Sequence, residues 1–155
     1  MEVTFDICKD EVYTEVAQTS SYTGAKMDDD ANAYERIFTT DEDKSQLERF
    51  WNESCVTYCE IMKRYLVSES DLKDTTDGAV TGHRFEMDFS RSFDAALMPS
   101  MRQELFSYFV MNITAKWYGF TNKKEAGEYA ADAAALLEGI HRKACYKRKP
   151  QRPTY

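Results

Sequence analysis

Apolar and polar residues alternate at the start of the chain. Val3, Phe5 and Ile7 lie on one side of an extended backbone, and polar residues separate them. A period of two is typical of a half-buried strand, so we predict a short N-terminal strand. The spacing becomes helical from about Lys9 to Gln18, and the polar stretch from Thr19 to Gly24 predicts the end of that helix.

A long second helix is predicted to end at about Leu66. Thr40 precedes it and Asp43 follows three residues later, which is the spacing of a capping box at a helix N-terminus. The apolar residues recur in steps of three and four, which places them on one helical face. They are Leu47, Phe50, Trp51, Cys55, Tyr58, Ile61, Met62 and Tyr65.

The middle of the chain predicts a β-hairpin. Apolar and charged residues alternate over His83–Phe89, which indicates its second arm. The pair Asp77-Gly78 is a turn signal. We therefore place the first arm near Leu72–Val80.

Two further helices follow the hairpin. The first is predicted over about Ala96–Tyr118, with Gly119 at its end and an apolar stripe in steps of four. The stripe consists of Met101, Leu105, Phe109, Ile113 and Trp117. The second begins at Asn122, which forms a capping box with Glu125, and continues to about residue 147 with small apolar residues on one face.

These elements predict a mainly α protein, a helical bundle with a small inserted β-hairpin and a short N-terminal strand. No internal repeat or second domain is visible in the sequence. We predict one helical domain over residues 1–146, with the inserted β element at about 70–90. Residues 147–155 contain Pro150 and Pro153, which cannot continue a helix, and are predicted to form a basic extended tail.

Charge is distributed unevenly along the chain. The net charge is −7, yet residues 141–155 contain six Lys and Arg and no acid, so the other 140 residues carry −13. An acidic body repels nucleic acid at long range, which argues against general DNA or RNA binding. The basic end is either a solvated tail that favours the C-terminus of the last helix or a contact for an acidic neighbour.

The sequence lacks the motifs that catalysis or cofactor binding requires. Its six glycines never cluster into a phosphate loop, and neither histidine adjoins a nucleophile motif. Cys55 and Cys59 share a helical face, but no C-x2-C pair accompanies them, so free thiols are expected rather than zinc. The acidic residues 28–30 lack the spacing of a calcium loop. We predict no enzyme, no catalytic residue, no cofactor and no metal.

Neither membrane insertion nor secretion is expected. No apolar run approaches the roughly 18 residues that span a bilayer. The first residues also lack the basic and apolar regions of a secretory signal. We therefore expect a protein made in the cytoplasm, without membrane contact and with reduced cysteines.

The aromatic content is high, with ten Tyr, nine Phe and two Trp. One interpretation is a large aromatic core. The other is protein–protein contact, because aromatic side chains are favoured at the centres of interfaces. The sequence leaves both open.

Two segments in the second half carry a family resemblance. Met98-Pro99-Ser100-Met101-Arg102-Gln103-Glu104-Leu105 leads into Ile113-Thr114-Ala115-Lys116-Trp117-Tyr118. A proline-led helix that ends in a Trp-Tyr pair before another helix resembles the head–tail connector (adaptor) proteins of tailed bacteriophages and prophages. The Thr40-Asp41-Glu42-Asp43 start with its long helix is similar to the family's first long helix, and the middle β element has a counterpart. The likeness covers about Thr39 to Lys147, whereas residues 1–24 and the acidic loop depart from the usual connector.

The resemblance implies a structural protein of the virion neck, made in the bacterial host cytoplasm. Copies would form a homo-oligomeric ring under the portal protein, in contact with tail or neck proteins. Double-stranded DNA would pass through the channel without specific binding, and an acidic lining would let it slide. A neighbouring neck or tail-completion protein fits the same pattern. The alternative is a cytoplasmic helical protein-interaction or regulatory module without enzymatic activity.

The basic tail is the candidate assembly interface. It has too little apolar surface to offset the entropy of ordering, about 1–2 kcal/mol per residue. We therefore expect it to be extended or disordered in the isolated protomer and ordered against a neighbour. The candidate contact residues are Tyr146, Lys147, Arg148, Lys149, Arg152 and Tyr155.

Overall fold

The protein is described by a computed structural model that covers residues 1–26 and 41–154. Within these residues the fold is mainly α, as predicted, with four helices and a small antiparallel sheet. The strands are β1 (Glu2–Cys8), β2 (Leu66–Lys73) and β3 (Val80–Asp88). The helices are α1 (Lys9–Lys26), α2 (Lys44–Met62), α3 (Met98–Thr121) and α4 (Lys123–Cys145), and short 3-10 turns cover Asp41–Asp43 and Ala95–Leu97.

The sheet joins the N-terminal strand to the central hairpin. Its strand order is β1-β3-β2, and both pairings are antiparallel. Phe5 is paired with Phe85 and Ile7 with His83, so these side chains share the inner face. Phe5, Ile7 and Phe85 are buried, and the residues between them are polar and face outward. The alternation predicted for β1 and β3 is therefore confirmed.

The predicted position of the first hairpin arm is wrong. β2 ends at Lys73, and residues 74–79 form the turn, with Gly78 at φ 71. Helix α2 also ends at Met62, four residues earlier than predicted, because the chain turns into β2. Both errors have one cause: β2 is an edge strand with almost every side chain exposed, so it lacks the apolar alternation that marks a strand in sequence.

Helices α1 and α3 continue past their predicted ends. α1 extends to Lys26 because its later turns pack beside α3, where Ser20 is fully buried and the Tyr118 hydroxyl donates to the Thr19 carbonyl at 3.5 Å. α3 continues through Gly119 to Thr121. A glycine within a helix weakens it by about 1 kcal/mol but does not end it when tertiary packing holds both sides.

Asn122 is the single residue between α3 and α4, and the two helices lie antiparallel on either side of it. Its backbone N–H donates to the Tyr118 carbonyl at 2.8 Å, which closes α3. The predicted capping box is not formed, because the Asn122 side chain makes no capping hydrogen bond. The side chain is buried instead, and its Nδ2 has no partner among the described residues. The predicted cap at Thr40 and the predicted acidic loop lie outside those residues.

Helix α3 is the centre of the core. Phe109, on α3, lies against Trp51 of α2 with ring centroids 4.7 Å apart. Phe85 connects the inner sheet face to α2 through Tyr58, also at 4.7 Å. The largest buried side chains are mostly aromatic, so the core uses much of the aromatic content. Ile61, which the sequence assigned to the apolar stripe of α2, is 42% exposed, whereas its neighbour Met62 is fully buried.

Candidate assembly surface

The C-terminal tail leaves the domain as an extended, exposed segment. At Tyr146 the backbone turns to ψ 131, which ends α4. Lys147 forms an isolated antiparallel bridge with Phe93, and the Arg148 N–H donates to the Ser92 carbonyl at 2.6 Å. Residues 149–154 follow without regular structure and are exposed. The tail is therefore held at its root by backbone contacts, and Tyr155 lies outside the described residues.

The six cations of the C-terminal region fall into two groups. Arg142 pairs with Glu138 at 3.4 Å, and Lys143 pairs with Glu104, so these two are engaged within the helices. The other four have no ion pair with any part of the chain that the structure describes; they are Lys147, Arg148, Lys149 and Arg152. Tyr146 is also 48% exposed. The structure thus brings most of the predicted contact residues together on one projecting segment.

The outer face of the sheet is polar and internally paired. Arg84 donates two hydrogen bonds of 2.8 Å to the carboxylate of Asp6 on the neighbouring strand. These hydrogen bonds, with the positive charges of Arg84 and Arg102, hold the pKa of Asp6 below its usual value against the opposing effect of desolvation. The Arg84 guanidinium therefore has its charge matched by Asp6 on this face.

A thiol, an imidazole and two carboxylates line the inner rim of the edge strand β2. The Cys59 thiol donates to Glu69 Oε2 at 2.9 Å, and the two ring nitrogens of His83 lie 3.3 Å from Glu69 and 3.2 Å from Asp71. Burial, followed by the hydrogen bond to Glu69, raises the pKa of Cys59 to about 12, so the sulfur stays a protonated, weak nucleophile. Inward-facing charges and the two register shifts of β2 are features that protect an exposed sheet edge from pairing with another chain.

The cysteines do not gather into a site. All four are free thiols; Cys55 is buried, Cys8 and Cys59 are half-buried and Cys145 is exposed. Desolvation raises the pKa of Cys55 to about 12. Among residues 1–26 and 41–154, no three His, Cys, Asp or Glu side chains are grouped so that they could hold a metal ion.

Two exposed aromatic residues, Phe120 and Tyr22, lie at helix ends away from the tail. Phe120 is 68% exposed and stacks on Phe50 with centroids 6.0 Å apart, and Tyr22 is 65% exposed on the last turns of α1. Neither residue is marked as a surface feature by the sequence pattern. The position of Phe120 directly after the Trp-Tyr-Gly end of the predicted stripe indicates an aromatic residue at the helix end. Only the continuation of α3 through Gly119 shows that its side chain faces outward.

The chain was compared with known protein families, characterised proteins and solved structures. No family model, no characterised protein and no solved structure matches the chain. In the part of the chain that the structure describes, none of the helices combines the length and apolar character needed to cross a bilayer.

Proposed function

We propose that the protein is a non-enzymatic structural component of a tailed-phage virion, a head–tail connector or neck protein that assembles through its C-terminal tail. In this role the copies form a homo-oligomeric ring between the portal protein and the tail or neck proteins. DNA passes through the ring without specific binding. The four described helices act as one bundle around α3, and the inner face of the sheet packs against it.

The observation that carries the proposal is the geometry of the tail. A segment whose four cations have no ion pair with the described residues extends from an acidic body and is held at its root by the contacts of Lys147 and Arg148. Within the described part of the protomer no ion pair of these cations offsets the entropy of fixing such a segment, whereas an acidic surface on a neighbour does so. A contact between different surfaces of identical copies is heterologous, and heterologous contacts generate rings when the rotation closes.

The experiment compares the full chain with a chain that lacks residues 149–155, by sedimentation velocity and electron microscopy. This truncation keeps the bridge at Lys147 and the hydrogen bond of Arg148, so the root of the tail is preserved. We expect ring-shaped particles for the full chain and monomers with unchanged melting temperature for the truncated chain. Association of the full chain should weaken as salt is added, because charge contacts at a surface are screened.

Two results would contradict the proposal. Particles that form equally well without residues 149–155 would show that assembly does not use the tail. A full chain that remains monomeric at all concentrations would favour the alternative, a cytoplasmic helical interaction module; the exposed aromatic residues Tyr22 and Phe120 would then be its contact surface.

A further inference from the structure

A groove follows the seam between α3 and α4. It has a volume of about 400 Å³ and is lined by Glu104 and Met111 of α3 and by Asp132, Ala135 and Leu136 of α4. We call this the α3–α4 groove. Its floor is apolar, and its lining includes two carboxylates.

One of these carboxylates is only partly satisfied. Glu104 binds Lys143 through Oε1, and the Lys143 ammonium also donates to Ser100 at 2.6 Å. Glu104 Oε2 is buried and has no hydrogen-bond partner among the residues that the structure describes. A buried acceptor without a donor is costly, commonly by about 1–3 kcal/mol, so a rotation of the Glu104 carboxylate that exposes Oε2 to a donor in the groove recovers that energy.

The lining matches the chemistry of a Lys or Arg side chain. Such side chains place an aliphatic stem on apolar surface while the charged head reaches a carboxylate. Met111 and Leu136 provide the apolar surface, and Glu104 and Asp132 provide the acceptors. Hydrogen bonds between a guanidinium or ammonium and a carboxylate are about twice as strong as neutral ones.

The spacing of the two acids matches the spacing of two tail cations. Glu104 lies beside Gly139, its carboxylate oxygens 3.7 Å from where a Cβ would stand there. Gly139 follows Asp132 by seven residues, a rise of about 10 Å along a helix. Lys149 and Arg152 are three residues apart in an extended segment, a separation of about 10 Å.

The chain's own tail reaches Asp132 in its own groove only when both the backbone and the Arg152 side chain are fully extended. Asp132 lies thirteen residues before Cys145, a distance of about 20 Å along α4. From Arg148, which is held at Ser92, the backbone to Arg152 reaches at most about 14 Å. A tail from another copy has no such restriction.

We infer that the α3–α4 groove of one copy binds Lys149 and Arg152 of the tail of a second copy. This inference rests on the proposed assembly role and identifies the surface that receives the tail. The contact is heterologous, because each copy presents a tail on one side and a groove on another.

The test reverses one charge in the groove of the full chain. Asp132→Arg should weaken self-association at low salt at least about tenfold, since like charges then face each other across the contact. Glu128→Arg is the matched control: Glu128 is an exposed acid one turn earlier on α4 that does not line the groove, and its variant should associate normally. Reversing the one tail cation that faces position 132, tested as Lys149→Glu and Arg152→Glu separately on the Asp132→Arg background, should restore association, whereas reversing both would set an acid against Glu104 and should not.

A mixing experiment establishes that the contact joins two copies. The Asp132→Arg chain has a tail but no functional groove, and the chain lacking 149–155 has a groove but no tail. Each alone should be monomeric, and their mixture should stop at dimers with one tail–groove contact. If association requires the tail but is unaffected by Asp132→Arg, the groove is not the receptor, and the proposed function stands. If association does not require the tail, both inferences fail.

Discussion

Gly82 on β3 is the position where one added methyl group should disturb the fold most. A Cβ built on Gly82 would lie 2.0 Å from the carbonyl oxygen of Ile7 and 3.1 Å from the Cα of Cys8. Both are backbone atoms of the paired strand β1, so no side-chain rotation relieves the overlap. Reaching an ordinary contact of 3.4 Å requires β1 to move by about 1.4 Å.

The cost of Gly82→Ala follows from this displacement. Steric overpacking of a core or backbone contact costs about 1–3 kcal/mol. Separating the end of β1 from β3 also weakens a backbone hydrogen bond there, worth about 0.5–1.5 kcal/mol. We expect a loss of about 2–4 kcal/mol, which lowers the melting temperature of a chain this size by about 5–15 °C.

Gly127→Ala is the control for this measurement. Gly127 lies in α4, and a Cβ there would meet no atom within 4 Å, so the substitution should stabilise by about 0.5–1 kcal/mol through helix propensity. Thermal unfolding followed by circular dichroism compares both variants with the parent chain. An unchanged melting temperature for Gly82→Ala, or a rise like that of the control, would refute the close approach of β1 to β3.

Three other measurements test the core, the thiols and the sheet surface. Trp117→Ala should cost about 3–5 kcal/mol in urea unfolding, because Trp117 is buried in the central helix, and an unchanged midpoint would show that α3 is misassigned. At mildly alkaline pH the exposed Cys145 should react with a thiol reagent in the folded protein. Cys55, whose pKa burial raises to about 12, should react only on unfolding. Equal reaction rates for the two thiols would contradict the burial of Cys55. Arg84 lowers the pKa of Asp6 in the folded chain. The ion pair therefore stabilises the fold fully at pH values above the pKa of an unfolded aspartate. This stabilisation is lost as the pH falls through the pKa of Asp6 in the folded chain. Asp6→Asn should therefore cost no more than about 1 kcal/mol at neutral pH and nothing in strong acid, and a cost independent of pH would exclude the ion pair as its cause.

The tail could be predicted from the sequence, whereas the groove could not. The tail was identifiable because Pro150 and Pro153 end regular structure and the cations are consecutive in the chain. The groove was not, because Glu104 and Asp132 are far apart in sequence and line one groove only when α3 and α4 pack together. Likewise, the six cations of the C-terminal region looked equivalent until the structure paired Lys143 with Glu104.

Elements with one buried face were predictable from the sequence alone. Strands β1 and β3 show alternation and helices α2 and α3 show an apolar stripe, because burial of one face imposes the period of the backbone on the residues. The mainly α class, the presence of a hairpin and the position of α4 follow from such patterns.

Tertiary structure decided what no local pattern records. β2 is held by pairing with β3 and has almost no buried side chain, so nothing in its residues distinguishes it from a loop. The pairing of β1 with β3 joins residues about 80 positions apart, and the ends of α1 and α3 depend on contacts between the two helices. The physical reason is the same in each case: hydrogen bonds and packing between distant segments carry free energy that a window of neighbouring residues does not contain.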